Sequence, residues 1–358
     1  MEMPKANENA LREQTDDKGE GAVNRSSALP KWYRQTPKRI PVTLLTGYLG
    51  SGKTTLLNHI LHSQHGHKIA VIVNEFGEVG IDNKLVVGAG EELVEMNNGC
   101  ICCTVRGDLI RALIELSSRA SFESVLIETT GLADPAPVAQ TFFMAEDIRR
   151  HFELNAFVTV VDAVNIEQTL IESEEAQEQI AFADIILVNK ADLVDRKKLD
   201  RVSHLARSLN AFAKIYPTEH TMVDVNKILD VHAFDLQKKL ELDPTFLEEN
   251  AHDHDTSIGS IIIEDPRPVD FDKFRNWMQQ LLQKRGGDIL RMKGIINVSG
   301  MEKELVFQGV RMLSTSTAGR CWWPGEERRS QAVFIGRHLN HAELFAGFEQ
   351  CLSEEISL

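Results

Sequence analysis

The sequence lacks any long hydrophobic run. Its longest apolar stretches, one ending at Val73 and one at 185–188, are far shorter than the ~18 residues that a helix needs to cross a bilayer. The first twenty residues also lack an apolar leader and mix acidic residues with lysines, which argues against secretory and mitochondrial targeting. We therefore expect no membrane partner and a cytosolic location, with the nucleus as the alternative.

Basic charge is scarce as well. Lysine and arginine total 39 against 53 aspartates and glutamates, a formal net charge of -14. A polyanion would have to bind through a local patch against this average field. Nucleic acid is therefore not expected to be a partner.

Cysteine is rare and unevenly placed. The 358 residues contain 5 cysteines, an odd number that does not describe a disulfide framework. Cys100, Cys102 and Cys103 are nevertheless crowded into one short segment. This cluster suggests metal or redox chemistry, whereas Cys321 and Cys351 are expected to be structural.

The chain has the length and composition of a globular protein with about two domains. Residues 1–39 are polar, show no periodicity and are interpreted as a flexible arm. Residues 40–240 are assigned to a first domain and 258–358 to a second. Between them, 241–257 form an acidic linker that contains His252 and His254.

Alternating apolar runs and longer segments predict the fold class. Buried strands are expected near 40–46, 68–74, 124–129, 156–162 and 183–189, with helical segments between them. This order is typical of an α/β domain with a mostly parallel sheet covered on both faces. The later strand-like runs, with helical stretches at 271–285 and 342–352, predict a small C-terminal α+β domain.

The glycine-rich segment GYLGSGKT at 47–54 lies between the first strand and a helix. It matches the phosphate-binding P-loop pattern, in which backbone N–H groups and a helix N-terminus surround phosphate. Lys53 would reach the β- and γ-phosphates, and Thr54 would ligate Mg²⁺. The expected nucleotide-binding residues in this segment are Gly47, Gly50, Ser51, Gly52, Lys53, Thr54 and Thr55.

NKAD at 189–192 follows a predicted strand. Ligands of open α/β sheets collect at the carboxyl ends of strands. A carboxylate at Asp192 can accept two hydrogen bonds from guanine, whereas adenine offers no such donor pair. Asn189, Lys190 and Asp192 therefore predict GTP rather than ATP.

Glu128 ends the predicted strand at 124–129 and precedes Thr130 and Gly131. From this position a carboxylate can hold Mg²⁺ or its water, and the Gly131 N–H can meet the γ-phosphate. We therefore assign Lys53 and Glu128 as the catalytic residues.

The three clustered thiols suit Zn²⁺ or Cu⁺, and three ligands suggest an incomplete, exchangeable site. Glu75 and Glu78 are candidates for a further ligand. A redox relay or inert buried thiols are alternative interpretations of the cysteines.

Together, GYLGSGKTT, NEFGEVGID, NGCICC, IETTGLADP and NKAD resemble the CobW-type family of metal-handling GTPases. The similarity extends into the C-terminal region and implies a GTP-dependent metal chaperone that binds zinc through Cys100, Cys102 and Cys103. It leaves cobalt and nickel open. Many relatives have a His-rich linker, reduced here to His252 and His254, and the arm contains no cysteine with which to dock one client of eukaryotic relatives.

We therefore expect hydrolysis of GTP, with Mg²⁺, to drive metal transfer to a client metalloprotein. The alternatives are a regulatory switch with a structural zinc and a thiol redox sensor. The second domain is expected to recognise the client or a second copy in a homodimer, with Arg320, Trp322, Trp323 and Arg328 as a candidate surface.

Overall fold

The computed structural model of the protein describes residues 39–63, 68–74, 92–96, 104–119, 122–229 and 258–353. The arm up to residue 38, the thiol segment, Glu75, Glu78 and the acidic linker lie outside these residues. The described elements of the first domain end at Leu229, and those of the second begin at Ile258.

The first domain is built on a seven-stranded sheet with the order β3-β2-β4-β1-β5-β6-β7. Every neighbouring pair in it is parallel. Its strands are β1 Ile40–Thr46, β2 Ile69–Asn74, β3 Glu92–Met96, β4 Ser124–Glu128, β5 Phe152–Asp162, β6 Ile185–Asn189 and β7 Lys214–Pro217. Its helices are α1 Lys53–His62, α2 Thr104–Arg119, α3 Pro135–Met144, α4 Glu146–His151, α5 Ile166–Glu172, α6 Glu174–Phe182, α7 Arg196–Leu209 and α8 Asn226–Leu229, with a 3₁₀ turn at Ala191–Leu193.

Helices cover both faces of this sheet. Successive side chains of a strand point to opposite faces, and the central strands are apolar at nearly every position. Leu45 belongs to the cluster that includes residues of α1 and α8. Its neighbour Leu44 belongs to the cluster that includes residues of α2, α3, α6 and α7. The predicted α/β domain with a parallel sheet is confirmed.

Two strands of this sheet were not predicted. β3 and β7 form its edges. β3 has only five residues, of which Glu92 and Glu95 are acidic, and β7 is short and ends at Pro217. Edge strands need no continuous apolar run, so they give a weak sequence signal.

The second domain is a five-stranded antiparallel sheet with the order β11-β10-β9-β12-β8. Its elements are β8 Ile258–Asp265, α9 Phe271–Arg285, β9 Ile289–Ile296, β10 Lys303–Val310, β11 Leu313–Cys321, β12 Ser330–Arg337 and α10 His341–Glu349. Both helices pack on one face, where Phe274, Phe307, Phe334 and Phe348 share a core. The predicted α+β domain is confirmed, although the polar edge strand β11 had been missed.

The other face of this sheet packs on the first domain. Leu290, Val310, Val333 and Ile335 belong to the same buried cluster as residues of α3, α6 and α7. The two domains therefore share one apolar interface.

A buried ion-pair cluster lies within this interface. Asp184, before β6, accepts hydrogen bonds from Arg291 at 2.8 Å and from Lys293. The Arg291 guanidinium lies 4.3 Å from the centre of the Phe157 ring. Burial raises the pKa of Asp184, but the two cations outweigh burial and hold that pKa below its usual value.

Among the described residues, no helix combines the length and the apolar character that crossing a membrane requires.

Candidate functional site

The P-loop lies at the carboxyl end of β1, where sequence predicted it. Gly47 and Gly52 have positive φ angles of 140° and 115°. A Cβ on Gly47 would stand 2.3 Å from the Val160 carbonyl oxygen, and one on Gly52 would stand 2.5 Å from Asn189 Nδ2. Glycine is therefore required at both positions for backbone angle and for space.

Several polar groups of this loop are left for a ligand. Gly52 is the N-cap residue of α1, and it has no side chain that could accept a hydrogen bond from the first N–H groups of the helix. Ser51 is buried, and its Oγ finds no hydrogen-bond partner among the described residues. Thr55 is exposed at the start of α1. Such a cradle of N–H and O–H donors fits the oxygens of a phosphate chain.

Lys53 is the cation of this cradle. It is 9% exposed, and its Nζ donates a hydrogen bond to the Tyr48 carbonyl oxygen at 3.2 Å. Burial lowers the pKa of Lys53, and the nearby Glu128 charge opposes that shift. An anionic ligand would add to the stabilisation of the ammonium form.

Thr54 and Glu128 come together as expected. The pairing of Leu45 with Glu128 aligns the ends of β1 and β4. The Thr54 hydroxyl donates a hydrogen bond to Glu128 Oε1 at 3.2 Å. A hydroxyl and a carboxylate are hard oxygen ligands and fit Mg²⁺, which prefers such donors. When bound, the ion would neutralise phosphate charge.

Asn189 connects the phosphate loop to the region expected to bind the base. Its buried amide donates to the Ser51 carbonyl oxygen at 2.9 Å, and its Oδ1 accepts from the Thr221 N–H at 2.8 Å. Asp192 lies exposed in the 3₁₀ turn. Asn189 therefore links the phosphate loop to the loop that follows β7, and the Asp192 carboxylate is accessible.

Lys190 is held by a carboxylate that sequence reasoning missed. Lys190 has a φ of 62°, and its Nζ donates to Asp162 Oδ2 at 2.7 Å. Burial raises the pKa of Asp162, but hydrogen bonds from Lys190, Asn165 and the Val164 N–H outweigh it and hold that pKa below its usual value. Asp162 is the last residue of the predicted strand 156–162. Its position at the carboxyl end of a strand is the one sequence feature that could have indicated a role in the site.

The loop that follows β7 was also missed. His220 and Thr221 have positive φ angles of 48° and 58°. The Thr218 hydroxyl donates to Asn189 Oδ1 at 3.4 Å, close to the Thr221 contact. This loop borders the same site as the NKAD segment, and only an assignment of β7 as a strand could have pointed to it.

The predicted thiol site falls on residues that are not described: Cys100, Cys102, Cys103, Glu75 and Glu78. The linker residues His252 and His254 are also outside the described part of the chain. Within the described part of the chain, no cluster of three or more His, Cys, Asp or Glu residues could hold a metal.

The remaining predicted residues lie in the second domain. Burial raises the pKa of Cys351 to about 11, and its thiol donates to the Gly347 carbonyl oxygen at 3.2 Å. Cys321 is exposed. Trp322 is buried, whereas Trp323 is 68% exposed, and the Arg320 guanidinium lies 5.9 and 5.8 Å from their rings. Arg328 donates to the Met301 carbonyl oxygen at 3.1 Å.

The parallel sheet and the glycine-rich loop at the end of β1 define a P-loop nucleotide-binding protein. Comparison with known families narrows this class. The model described as the CobW/HypB/UreG nucleotide-binding domain matches residues 41–217, and that of the cobalamin synthesis protein CobW C-terminal domain matches residues 258–352. The chain belongs to the CobW family, and it is a GTPase.

Individual relatives agree with this assignment. The zinc chaperone YjiA of Escherichia coli is 38% identical over 86% of this chain and 98% of its own length. The zinc-regulated GTPase metalloprotein activator 1 of Dictyostelium discoideum is 30% identical over 94% of this chain and 85% of its own length. The crystal structure of the zinc-bound YjiA GTPase has a TM-score of 0.67 at 33% identity and covers 88% of this chain and 100% of that chain.

Proposed function

We propose that this chain is a GTP-dependent zinc chaperone. It binds Zn²⁺ through Cys100, Cys102 and Cys103 and couples GTP hydrolysis to transfer of the metal to a client metalloprotein. The proposal is supported by two relatives of nearly full length, whose names describe a zinc chaperone and a zinc-regulated metalloprotein activator. GTP and Mg²⁺ are its other ligands.

We assign the nucleotide to the pocket formed by the P-loop and the NKAD segment. The phosphate chain contacts residues 47–55, with Lys53 and Glu128 as the catalytic pair and Thr54 and Glu128 on the magnesium side. The guanine base contacts Asp192, and Asn189 and Lys190 hold the surrounding loops. The contacts among these side chains, described above, support the assignment.

The observation that carries the coupling is the alignment of three strand ends. Asn74, the last residue of β2, pairs with Met96, the last residue of β3, and Val73 pairs with Glu128. The chain therefore leaves β2 towards Glu75 and leaves β3 towards Cys100 at the same sheet edge as the catalytic carboxylate. In the proposed mechanism, a change at the γ-phosphate is passed on through these aligned strand ends.

In this mechanism, binding of GTP with Mg²⁺ orders the loops that leave β2 and β3, and hydrolysis releases them. Because coupling free energies are reciprocal, zinc must change the affinity for GTP by the factor by which GTP changes the affinity for zinc. Hydrolysis would thus lower the affinity of the chain for zinc, and the metal would pass to an acceptor protein.

The test is a zinc titration of the full chain, with GDP and with a nonhydrolysable GTP analogue. The wild type is compared with a variant that carries Cys100→Ser, Cys102→Ser and Cys103→Ser. Cys321→Ser is the matched control because Cys321 is an exposed thiol of the second domain. We expect one zinc in the wild type and in the control, with an affinity that depends on the nucleotide, and loss of that zinc in the triple variant.

Two other outcomes would contradict the proposal. Equal zinc affinities and equal release rates with both nucleotides would indicate a structural zinc in a regulatory switch. Turnover that responds to mild oxidation of Cys102 but not to chelators would indicate a redox sensor instead.

A further inference from the structure

The loop at 130–134, which follows the catalytic Glu128, packs directly on the P-loop. A Cβ on Gly131 would stand 2.8 Å from the Leu49 backbone nitrogen, so the two backbones are in close contact. The Thr129 N–H donates to the Leu45 carbonyl oxygen at 3.0 Å and continues the pairing of β4 with β1. A small displacement of the 130–134 loop would therefore move the backbone at the γ-phosphate position.

Helix α6 supports this loop from one side. The buried Gln179 amide donates to the carbonyl oxygens of Gly131 and Ala133, both at 3.1 Å. The Gln179 backbone is itself fixed, because its carbonyl oxygen accepts from the Thr159 hydroxyl at 2.9 Å. One end of the loop is thus attached to the first domain.

The other end of the loop is attached to the second domain. Asp134 Oδ1 caps α3 by accepting from the Ala136 N–H at 2.8 Å, and Asp134 Oδ2 accepts from Arg311 at 3.1 Å. Arg311 lies in the hairpin turn between β10 and β11 and has a φ of 52°. Its N–H donates to the Leu290 carbonyl oxygen at 3.1 Å, which fixes the turn on β9.

Arg311 separates two carboxylates. Besides Asp134, it contacts both oxygens of Glu178, at 3.1 and 3.2 Å. Burial raises the pKa of Glu178, the Asp134 charge raises it further, and Arg311 and Arg337 oppose both effects. Without Arg311, Glu178 would keep its contact with Arg337, but Asp134 would lose the cation that links it to Glu178 and to the second domain. The loop end would then no longer be held against α6.

We propose that Arg311 is a positioning residue for GTP hydrolysis. From the second domain, it holds Asp134 and thereby keeps the loop that follows Glu128 seated on the P-loop. The second domain is then part of the hydrolytic machinery and sets the turnover number without touching the nucleotide. The inference rests on the proposed function and on the expected contact of the Gly131 N–H with the γ-phosphate.

The test compares Arg311→Gln with Arg337→Gln in the full chain. Arg337 also comes from the second domain and donates to Glu178 at 2.9 Å, but its other contact is Glu174, outside the loop. Steady-state hydrolysis gives kcat and KM, GDP binding is measured separately, and thermal unfolding checks that both variants fold.

We expect Arg311→Gln to lower kcat about tenfold, with KM and GDP affinity within about twofold of the wild type, since small misplacements act mainly on the chemical step. Arg337→Gln should change kcat by at most about twofold.

A double-mutant cycle identifies the contact. Asp134→Asn keeps a good helix cap but weakens the contact with Arg311. It should lower kcat like Arg311→Gln, and the double variant should be no slower than either single variant. Arg311→Lys, which keeps the charge, should recover part of the lost kcat.

The outcomes separate this inference from the proposed function. Equal losses of kcat in Arg311→Gln and Arg337→Gln, or unchanged kcat in Arg311→Gln beside normal wild-type turnover, would overturn the role of Arg311 alone. A folded wild type that binds GTP but does not hydrolyse it would overturn the proposed function and this inference together.

Discussion

Asn189 shows how one side chain can join two parts of the nucleotide site. Its amide nitrogen holds the Ser51 carbonyl group, and its amide oxygen holds the Thr221 N–H. Both contacts are buried, where an unsatisfied polar group would cost about 1–3 kcal/mol. The pattern NKAD predicts Asn189 as a site residue, and the structure shows that its side chain links two loops, while the Asp192 carboxylate is exposed.

Asp192→Asn should reverse the choice of base. The carboxylate accepts the two donors of guanine, whereas an amide offers a donor and suits xanthine. We expect the affinity for GTP to fall at least about tenfold, since hydrogen bonds to a charged group contribute about 1.5–3 kcal/mol. Competition between GTP and xanthosine triphosphate measures the change, with Asp195→Asn as a control because Asp195 caps α7 nearby. Unchanged preference for GTP would show that another residue reads the base.

Glu128→Gln should separate nucleotide binding from hydrolysis. The amide removes the negative charge beside Thr54 and Lys53, and with it the charged oxygen that we propose as a ligand for Mg²⁺. We expect single-turnover hydrolysis of GTP to fall about 100-fold or more. Binding of GDP without Mg²⁺ should change by less than about threefold.

The control for Glu128→Gln is Glu153→Gln. Glu153 pairs with Pro41 at the start of β5, at the end of the sheet opposite the P-loop. Hydrolysis by Glu128→Gln at the rate of this control would refute the assignment of Glu128.

At the scale of elements, β9 carries charges into a buried interface. Arg291 and Lys293 alternate with apolar residues and both meet Asp184. Burial and the charge of Arg291 lower the pKa of Lys293 to about 8, despite the Asp184 carboxylate. The strand thus binds the first domain through an ion-pair cluster whose charge balance depends on pH.

Lys293→Met should change how stability depends on pH. Between about pH 8 and 10.4 the unfolded chain keeps the Lys293 proton while the folded chain loses it. Since the unfolded state binds more protons there, this lysine makes the free energy of unfolding rise with pH, by about 1–3 kcal/mol. Urea unfolding between pH 7.5 and 10 should show a flatter profile in Lys293→Met than in Lys284→Met, which removes an exposed lysine. Parallel profiles would contradict the low pKa.

At the scale of the whole molecule, the two domains are bound by one continuous apolar cluster and by several ion pairs. Val310 and Val333 of the second domain belong to the cluster that contains the central strands of the first. Asp184 lies at this interface, and Arg311 joins the domains at Asp134. The domains should therefore respond together to ligands and to mutation.

Asp184→Ala should destabilise the interface strongly. It would leave Arg291 and Lys293 buried without their carboxylate and would also remove the acceptor of the Phe157 N–H. Breaking a buried ion pair on one side costs about 3–5 kcal/mol. Urea unfolding should show a loss of this size, whereas Asp200→Ala, which breaks an exposed pair with Arg196, should cost less than about 1 kcal/mol. Similar losses in both variants would show that the buried ion-pair cluster contributes little to the free energy of unfolding.

Much of the fold could be predicted from local patterns, and the same patterns predict a candidate nucleotide site. The glycine spacing at 47–54, Glu128 at a strand end and NKAD at 189–192 each predict a binding function from a few adjacent residues. The apolar runs of β1, β4, β5 and β6 predict strands that are buried on both faces of a sheet. The polar edge strand β11 could not be predicted in this way, because all of its residues are partly or fully exposed and few of them are apolar.

Local sequence was enough to recognise a GTPase of this family, because phosphate and base binding use short motifs whose residues act near one another along the chain. Folding was needed to bring Asp162 to Lys190, the loop at 218–221 to Asn189, and Arg311 to Asp134. Such contacts join polar side chains far apart in sequence, and a single polar residue shows neither the periodicity nor the spacing that would reveal its partner. The contact of Arg311 with Asp134 therefore became visible only once both sheets had been packed together.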